Sequence, residues 1–169
     1  MRVDFLDPDL CRERLKCIPG AAAFVPNPED TVEMTEQNPE TDRLQRFAED
    51  YTAAWCSQAP ARVASFFAED GSLTINGGEP ARGRAAIAAS AEGFMTAFPD
   101  LTVLLDELSF DGDSVIYHWT LKGTNTGPGG TGRPVWISGR EVWTFGEDGL
   151  ITESTGSFDS DEYNRQLAG

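Results

Sequence analysis

The chain has 169 residues, of which 40% are hydrophobic, and a formal net charge of −15 at pH 7. This length and apolar content favour one ordinary globular domain with enough chain to bury a core. The excess of acidic residues disfavours nucleic acids and anionic membrane surfaces as partners, because binding to either requires a basic surface.

Cysteine and histidine usage excludes several kinds of site. The three cysteines form no CxxC pair and are odd in number, which argues against a disulfide framework and a zinc site. The only histidine, His118, cannot build a His-rich metal centre, and no GxSxG motif marks a serine nucleophile. The chain has no apolar run of about 18 residues and its start is too charged for a signal peptide, so we expect a cytoplasmic protein.

Residues 1–40 differ in composition from the rest of the chain. They contain five prolines and nine acidic residues and show no sustained hydrophobic period. This composition predicts a flexible or loosely packed extension, with a short helix over Pro8–Lys16 and Phe24-Val25 able to dock on the domain. We place the folded domain at 41–169, although Met34 also suits the start of the folded unit.

Three helices are predicted in the first half of the domain. The first runs over 42–57 with Thr41 as its N-cap, the second begins at Pro60 and ends at Asp70-Gly71, and the third spans 83–98. Each has apolar residues at helical spacing, which in the first helix are Leu44, Phe47, Tyr51 and Trp55.

After the third helix the hydrophobic period changes from 3.6 to 2. A short strand at Ser72–Ile75 is predicted before the third helix. After that helix, four longer strands are predicted, joined by Gly-containing turns and followed by a closing helical turn at 161–167. Helices followed by a meander of strands predict an α+β fold, with a curved, mostly antiparallel sheet over three N-terminal helices. The four longer strands are Leu101–Phe110, Ser114–Leu121, Pro134–Phe145 and Leu150–Phe158.

One carboxylate stands in an apolar row of the third long strand. Alternation places Glu141 on the same face as Ile137, Gly139, Trp143 and Phe145. If this face is buried, Glu141 is paired, protonated or facing a cavity, because an unpaired buried charge is too costly. A protonated or cavity-facing Glu141 would serve as a hydrogen-bond donor or general acid. The alternatives are an ion pair with Arg84 or Arg133, or an exposed edge position.

The helices and strands follow a recognisable order, with FFAEDGSL at 66–73 before the short strand and GRAAI at 83–87 at the start of the third helix. This order resembles the nuclear-transport-factor-2-like superfamily. Three further phrases are FPDL at 98–101, GTNTG at 123–127 with TGR at 131–133, and DGLI at 148–151 leading to Asp159 and Gln166-Leu167. These three resemble the SnoaL-like polyketide cyclase branch of that superfamily. The resemblance covers about residues 41–167 and implies a cone-shaped α+β barrel whose mouth holds a pocket.

This resemblance implies roles for individual residues. Tyr51 stands where the related ketosteroid isomerases keep an oxyanion tyrosine, and Glu141 where they keep a protonated carboxylic acid. Asp159 matches the acid/base aspartate of the SnoaL-like cyclases and Asn76 their assisting asparagine, whereas Glu141 replaces a histidine of theirs. The isomerase base should fall at Ile75 or Asn76, neither of which can take a proton from carbon, so steroid-type isomerisation is disfavoured.

Aromatic residues supply the remaining candidates. We expect a pocket wall that orients an apolar ring, although each of these residues also suits an ordinary core. His118 lies on the opposite face of its strand and is predicted to be a half-exposed sheet residue rather than a catalytic one. The expected substrate-binding residues are Asn76, Trp55, Phe67, Phe94, Trp119 and Trp143.

Three functions follow from these features. The first is a cofactor-free cyclase or isomerase that moves a proton on an apolar, carbonyl-bearing, polyketide-like substrate. The second is a non-catalytic module that binds a small ligand or dimerises. The third is epoxide-hydrolase-like hydrolysis, which needs a second carboxylate from Glu153 or Asp106. Apolar residues on the outer sheet face, Trp136, Val142 and Ile116, favour a homodimer.

Overall fold

The computed structural model describes residues 38–169. The predictions for a helix over Pro8–Lys16, for docking of Phe24-Val25 and for a start at Met34 lie outside the described residues. The described elements, in chain order, are α1 Pro39–Cys56, α2 Pro60–Ala64, β1 Phe67–Ile75, β2 Ala81–Arg82, α3 Gly83–Ala97, β3 Thr102–Asp111, β4 Ser114–Thr124, β5 Pro134–Phe145, β6 Ile151–Phe158 and α4 Ser160–Ala168.

Within the described residues, six strands form one open sheet in the order β2-β1-β6-β5-β4-β3. Only β1 and β6 run parallel to each other, and all other neighbours are antiparallel. Register shifts in the pairings of β1, β3 and β5 mark irregularities of the kind that bend strands and increase twist. The predicted α+β fold with a curved, mostly antiparallel sheet is confirmed.

The prediction for the second helix was wrong. The α2 helix ends at Ala64, and Phe67 already pairs with Ile151 of β6 in the sheet. At the end of α2 the Ser65 hydroxyl donates to the carbonyl oxygen of Arg62, a local bond that competes with helix continuation. The parallel partner strand then supplies the backbone hydrogen bonds of β1, which outweighs the helical propensity of the Ala68-Glu69 dipeptide.

The first helix begins two residues before the predicted cap. Asn38, not Thr41, accepts the capping bond, from the backbone N–H of Glu40 at 3.1 Å. A compact unit, Gln45–Gly169, begins within α1 and contains the whole sheet.

Within that unit, the aromatic stripe of α1 packs on the inner face of the sheet. Phe47 contacts Trp143 and Phe145 edge-on, with ring centroids 5.8 and 5.1 Å apart. Tyr51 contacts Trp143 at 5.1 Å and Tyr117 at 5.6 Å. The helical spacing of the stripe and the alternation along β4 and β5 therefore meet in one buried aromatic layer.

Candidate active site

A small cavity lies between the inner face of the sheet and the helices of the Gln45–Gly169 unit. Its volume is about 50 Å³, room for water-sized molecules but less than a ring-shaped ligand needs. No lysine, arginine or histidine of the described residues lines it, and its single ionisable carboxyl is that of Glu141. The lining residues are Trp55, Leu73, Ile75, Phe94, Val103, Tyr117, Trp119, Leu121, Glu141, Gly156 and Phe158.

Glu141 is held in place by hydrogen bonds to one of its two carboxylate oxygens. It lies in β5 between Tyr117 of β4 and Gly156 of β6 and is only 6% exposed. Its Oε2 accepts from Ser154 Oγ at 2.8 Å, from Trp143 Nε1 at 2.9 Å and from the Tyr51 hydroxyl at 3.1 Å. Its Oε1 has only a 3.4 Å contact with the same tyrosine hydroxyl.

This asymmetry gives the two oxygens different roles. Three donors use the lone pairs of Oε2, so a proton or a ligand group is left to Oε1. Burial raises the pKa of Glu141 above its usual value, against the opposing hydrogen bonds from Trp143, Ser154 and Tyr51. A carboxyl whose pKa is raised above its usual value and whose second oxygen is available can act as a general acid or a general base.

The alternatives considered for Glu141 can be compared with its surroundings. Arg84 donates through Nε to the backbone carbonyl of Phe67 at 2.9 Å, and Arg133 is exposed. Among the described residues no ion pair involves Glu141, and its low exposure excludes an edge position. Glu141 is therefore a buried carboxyl satisfied by neutral donors.

Two tyrosines extend this network towards α1. Burial and the charge of Glu141 raise the pKa of Tyr51 well above 10, so the Tyr51 hydroxyl remains a donor at neutral pH. The Thr52 hydroxyl donates to the Ala48 carbonyl at 2.7 Å, so in its 2.8 Å contact with Tyr117 the tyrosine hydroxyl is the donor. The Tyr117 ring stacks on Trp143 with centroids 4.7 Å apart.

Comparison with known proteins places this architecture. A sequence profile of the SnoaL-like domain matches residues 48–154, more than half of the chain. The chain belongs to the SnoaL-like domain family. A search of the curated proteins finds no match to this SnoaL-like chain.

Solved structures superpose on this SnoaL-like chain at low identity. A Catenulispora acidiphila protein with a ketosteroid isomerase-like fold, crystallised with trimethylamine, is 18% identical, covering 72% of this chain and 92% of its own, with a TM-score of 0.64. A Jannaschia sp. CCS1 protein named as a proposed SnoaL-like polyketide cyclase is 16% identical, with coverages of 73% and 93% and a TM-score of 0.61. SalBIII, an epoxide hydrolase/cyclase-like enzyme of pyran ring formation in the polyether salinomycin, is 21% identical, with coverages of 72% and 94% and a TM-score of 0.61. At these identities the likeness shows the fold.

The structure separates the predicted site residues of this SnoaL-like chain into three groups. Trp55, Phe94 and Trp119 line the cavity with Glu141. Tyr51 and Trp143 do not line the cavity but donate hydrogen bonds to the carboxyl of Glu141. All of these residues lie in α1, α3, β4 or β5 of one compact unit.

The remaining predicted residues lie outside the cavity lining. Phe67 is fully buried in the core. The Asn76 amide donates to Ser160 Oγ at 2.7 Å and accepts from the Phe158 backbone N–H at 2.8 Å, which makes it a loop brace. Asp159 is exposed and caps α4, accepting from the backbone N–H of Glu162 at 2.9 Å.

Sequence reasoning missed two polar residues, Tyr117 and Ser154, that line the cavity or bind Glu141. Tyr117 could have been predicted, because the alternation along β4 places it on the same face as Trp119, opposite to His118. Ser154 carried none, because only the pairing of β6 with β5 places it opposite Trp143. His118 lies on the other face, 3.1 Å from Ser109 Oγ.

Two further classes of site can be assessed in the described part of the chain. Residues 38–169 hold no group of three or more His, Cys, Asp or Glu side chains arranged to bind a metal ion. Every helix over the same residues falls short of the length and apolarity that crossing a membrane requires.

Proposed function

We propose that this SnoaL-like chain catalyses proton transfer on a neutral, apolar, carbonyl-bearing small molecule, as a cofactor-free cyclase or isomerase, with Glu141 as the acid/base residue. One observation carries the proposal: a buried carboxyl lines an apolar cavity with one oxygen anchored by three donors and the other left over. The reactions of the named relatives support a polyketide-like substrate.

The proposed step is a proton shuttle at carbon. Ionised Glu141 removes a proton from the carbon next to the substrate carbonyl, the C–H electron pair forms the enolate, and the proton passes to Oε1. Return of that proton to another carbon of the enolate system completes an isomerisation. Alternatively, the enolate carbon attacks a second carbonyl and closes a ring; the C=O electron pair moves to oxygen, which takes the proton from Glu141 and restores the carboxylate. The bonds from Tyr51, Trp143 and Ser154 keep the carboxyl in one orientation throughout.

The charge of the cavity limits the substrate class. Because the described lining residues include a carboxyl and no cationic side chain, an anionic substrate would be repelled by Glu141. The apolar walls favour a ring or chain of low polarity and exclude bulk water from the reacting atoms.

Hydrolysis by paired carboxylates has less support. The two residues that could supply the second carboxylate are Asp106 and Glu153. The Asp106 carboxylate accepts from Thr120 Oγ1 at 2.7 Å, Glu153 is exposed, and neither lines the cavity. A lone carboxyl favours proton transfer over activation of a water by two acids.

Exchange of carbon-bound hydrogen tests the proposal without knowledge of the natural substrate. Cyclohexanone and 2-tetralone in D2O should lose their α-protons faster with the protein, as followed by ¹H NMR. Glu141→Gln should lower the protein-dependent rate by about 10²–10⁴-fold, the usual contribution of a general base. Asp159→Asn is the matched control and should retain the rate. Equal loss in both variants, or no acceleration by the wild-type protein, would remove Glu141 from this role.

A second candidate is non-catalytic binding of a small amine cation. It is favoured by the aromatic rings that share the cavity with one carboxyl, an arrangement that attracts cations. The Catenulispora acidiphila relative, crystallised with trimethylamine, supports the same chemistry. Calorimetric titration with trimethylammonium chloride discriminates the two functions: saturable binding that Glu141→Gln abolishes, without α-proton exchange, favours the second.

We also propose a homodimer formed through the outer face of the sheet. Trp136 is 64% exposed there, with Lys122 Nζ 5.5 Å from its ring centre, and Val142 and Ile116 are partly exposed on neighbouring positions. Sedimentation equilibrium should give a mass near twice the 18.4 kDa of the chain. A mass near that of one chain at micromolar concentration would contradict the dimer.

A further inference from the structure

Trp119 has a buried indole N–H that makes no hydrogen bond with the described residues. Its side chain lines the cavity beside Glu141 and is 9% exposed. Its indole Nε1 is fully covered and has no hydrogen-bond partner among the described residues. A buried N–H without an acceptor is unfavourable, and native proteins seldom retain one without a function.

The indole packs closely against two neighbours. It lies against Gly139 of the neighbouring strand, where an added Cβ would be 2.6 Å from the Cη2 atom of the indole. The Phe158 ring meets it edge-on, with centroids 6.2 Å apart. In this packing the described residues offer no acceptor to the indole N–H.

The donors around the carboxyl of Glu141 are already engaged. Tyr51, Trp143 and Ser154 all donate to Glu141. Tyr117 donates to Thr52. Among the buried side-chain nitrogen and oxygen atoms of the described residues, the indole Nε1 of Trp119 is the one without a hydrogen-bond partner. The oxyanion role that the family resemblance implied for Tyr51 conflicts with the use of its proton on Glu141.

We propose that the indole N–H of Trp119 donates a hydrogen bond to the carbonyl oxygen of the substrate, an inference that rests on the proposed function and names its second polar contact. When Glu141 removes a proton from the adjacent carbon, negative charge develops on that oxygen. A preorganised donor in an apolar, buried site stabilises such charge more strongly than it stabilises the neutral carbonyl. Trp119 is therefore a substrate-binding and oxyanion-stabilising residue.

This assignment defines the ligand further. The ligand carries a hydrogen-bond acceptor such as a ketone, enone or ester oxygen, and hydrocarbons and ammonium ions of similar size lack it. Because the cavity is about 50 Å³ and Nε1 is covered, the oxygen reaches the indole only after a lining side chain moves. Phe158 is partly exposed, lines the cavity and contacts the indole edge-on, so it is the side chain that we expect to move.

A matched ligand pair tests the inference. 2-Tetralone and tetralin have nearly the same shape, and only the ketone has an acceptor oxygen. Measured by calorimetry, the wild-type protein should bind the ketone at least tenfold more tightly. Trp119→Phe keeps an aromatic ring without the N–H and should reduce this preference to within twofold while leaving tetralin affinity unchanged. Trp136→Phe, the same substitution on the outer face, should keep the full preference.

NMR of the wild-type protein provides a readout that does not depend on the variant folding. In ¹⁵N-labelled protein, 2-tetralone should shift the Trp119 indole proton downfield, as expected for a new hydrogen bond, and tetralin should not. The inference is overturned if the wild-type protein does not favour the ketone, if Trp119→Phe retains the preference, or if the indole resonance responds equally to both ligands.

The two proposals fail separately in these experiments. Loss of ketone preference in Trp119→Phe without any α-proton exchange by the wild-type protein supports the Trp119 contact and rejects catalysis. Glu141-dependent exchange that Trp119→Phe leaves unchanged, with ketone preference also intact, supports catalysis and rejects the Trp119 contact.

Discussion

Removal of the Glu141 carboxyl tests the organisation of the site through protein stability. Glu141→Ala deletes the acceptor of Tyr51, Trp143 and Ser154 in one step and leaves three buried donors behind. Glu141→Gln instead offers a carbonyl oxygen at the position of Oε2 and an amide nitrogen at that of Oε1, so all three donors keep an acceptor.

The expected magnitudes differ widely. Each buried donor left without a partner costs about 1–3 kcal/mol, so Glu141→Ala should lower the free energy of unfolding by roughly 3–9 kcal/mol. That range approaches the total stability of a typical domain, about 5–15 kcal/mol, and a folded fraction that is low at room temperature is an expected result. Glu141→Gln should stay within about 1 kcal/mol of the wild-type protein, since no donor loses its bond.

The difference in the free energy of unfolding between Glu141→Gln and the wild-type protein should depend on pH. Burial raises the pKa of Glu141 above its usual 4.5, so above pH 4.5 the folded state retains a proton that the unfolded chain has released. The resulting contribution to stability is complete below pH 4.5 and is lost as pH rises through the folded pKa. Glutamine does not titrate, so Glu141→Gln has no such contribution to lose. Between pH 4.5 and the folded pKa of Glu141, this variant should therefore gain stability relative to the wild-type protein.

Urea unfolding followed by tryptophan fluorescence between pH 4 and pH 9 measures both effects. The midpoint should change between variants while the slope with denaturant, which reports the surface exposed, stays constant. One buried donor without a partner already costs about 1 kcal/mol or more. If Glu141→Ala lowers the free energy of unfolding by less than this at constant slope, the three donors have found other partners. Parallel pH curves for Glu141→Gln and the wild-type protein would refute the raised pKa.

Three further predictions concern single positions. Ser154→Ala removes one of the bonds that lower the pKa of Glu141 and should raise that pKa further, as measured by carboxyl ¹³C NMR; an unchanged titration would contradict the contact. Gly139→Ala would place a Cβ 2.7 Å from the Ser157 carbonyl and should destabilise by about 1–3 kcal/mol in urea unfolding, whereas Gly93→Ala, in open space on α3, should stabilise by about 0.5–1 kcal/mol. Asp159→Ala should cost about 0.5–2 kcal/mol through the lost α4 cap, whereas Asp159→Asn should be neutral because asparagine caps equally well; equal thermal midpoints for both would count against the cap.

Local patterns were sufficient for most of the elements. The change of period after α3, the turns at Gly112 and Gly149 and the alternation along β5 predicted the strands to within a few residues. These signals are reliable because period and turn chemistry depend on near neighbours in the chain. The α2–β1 boundary was wrong because its strand depends on pairing with β6, about eighty residues later.

The sequence by itself placed Glu141 in an apolar row of β5, and therefore predicted that Glu141 would need a special environment if that row were buried. Only the tertiary structure decided what that environment is. The donors to its carboxyl come from a helix 90 residues away, from two residues along the same strand and from 13 residues further on, and sheet register brings them to one oxygen. The unpartnered N–H of Trp119 was likewise invisible in the sequence, because an unsatisfied donor is defined by everything that packs around it.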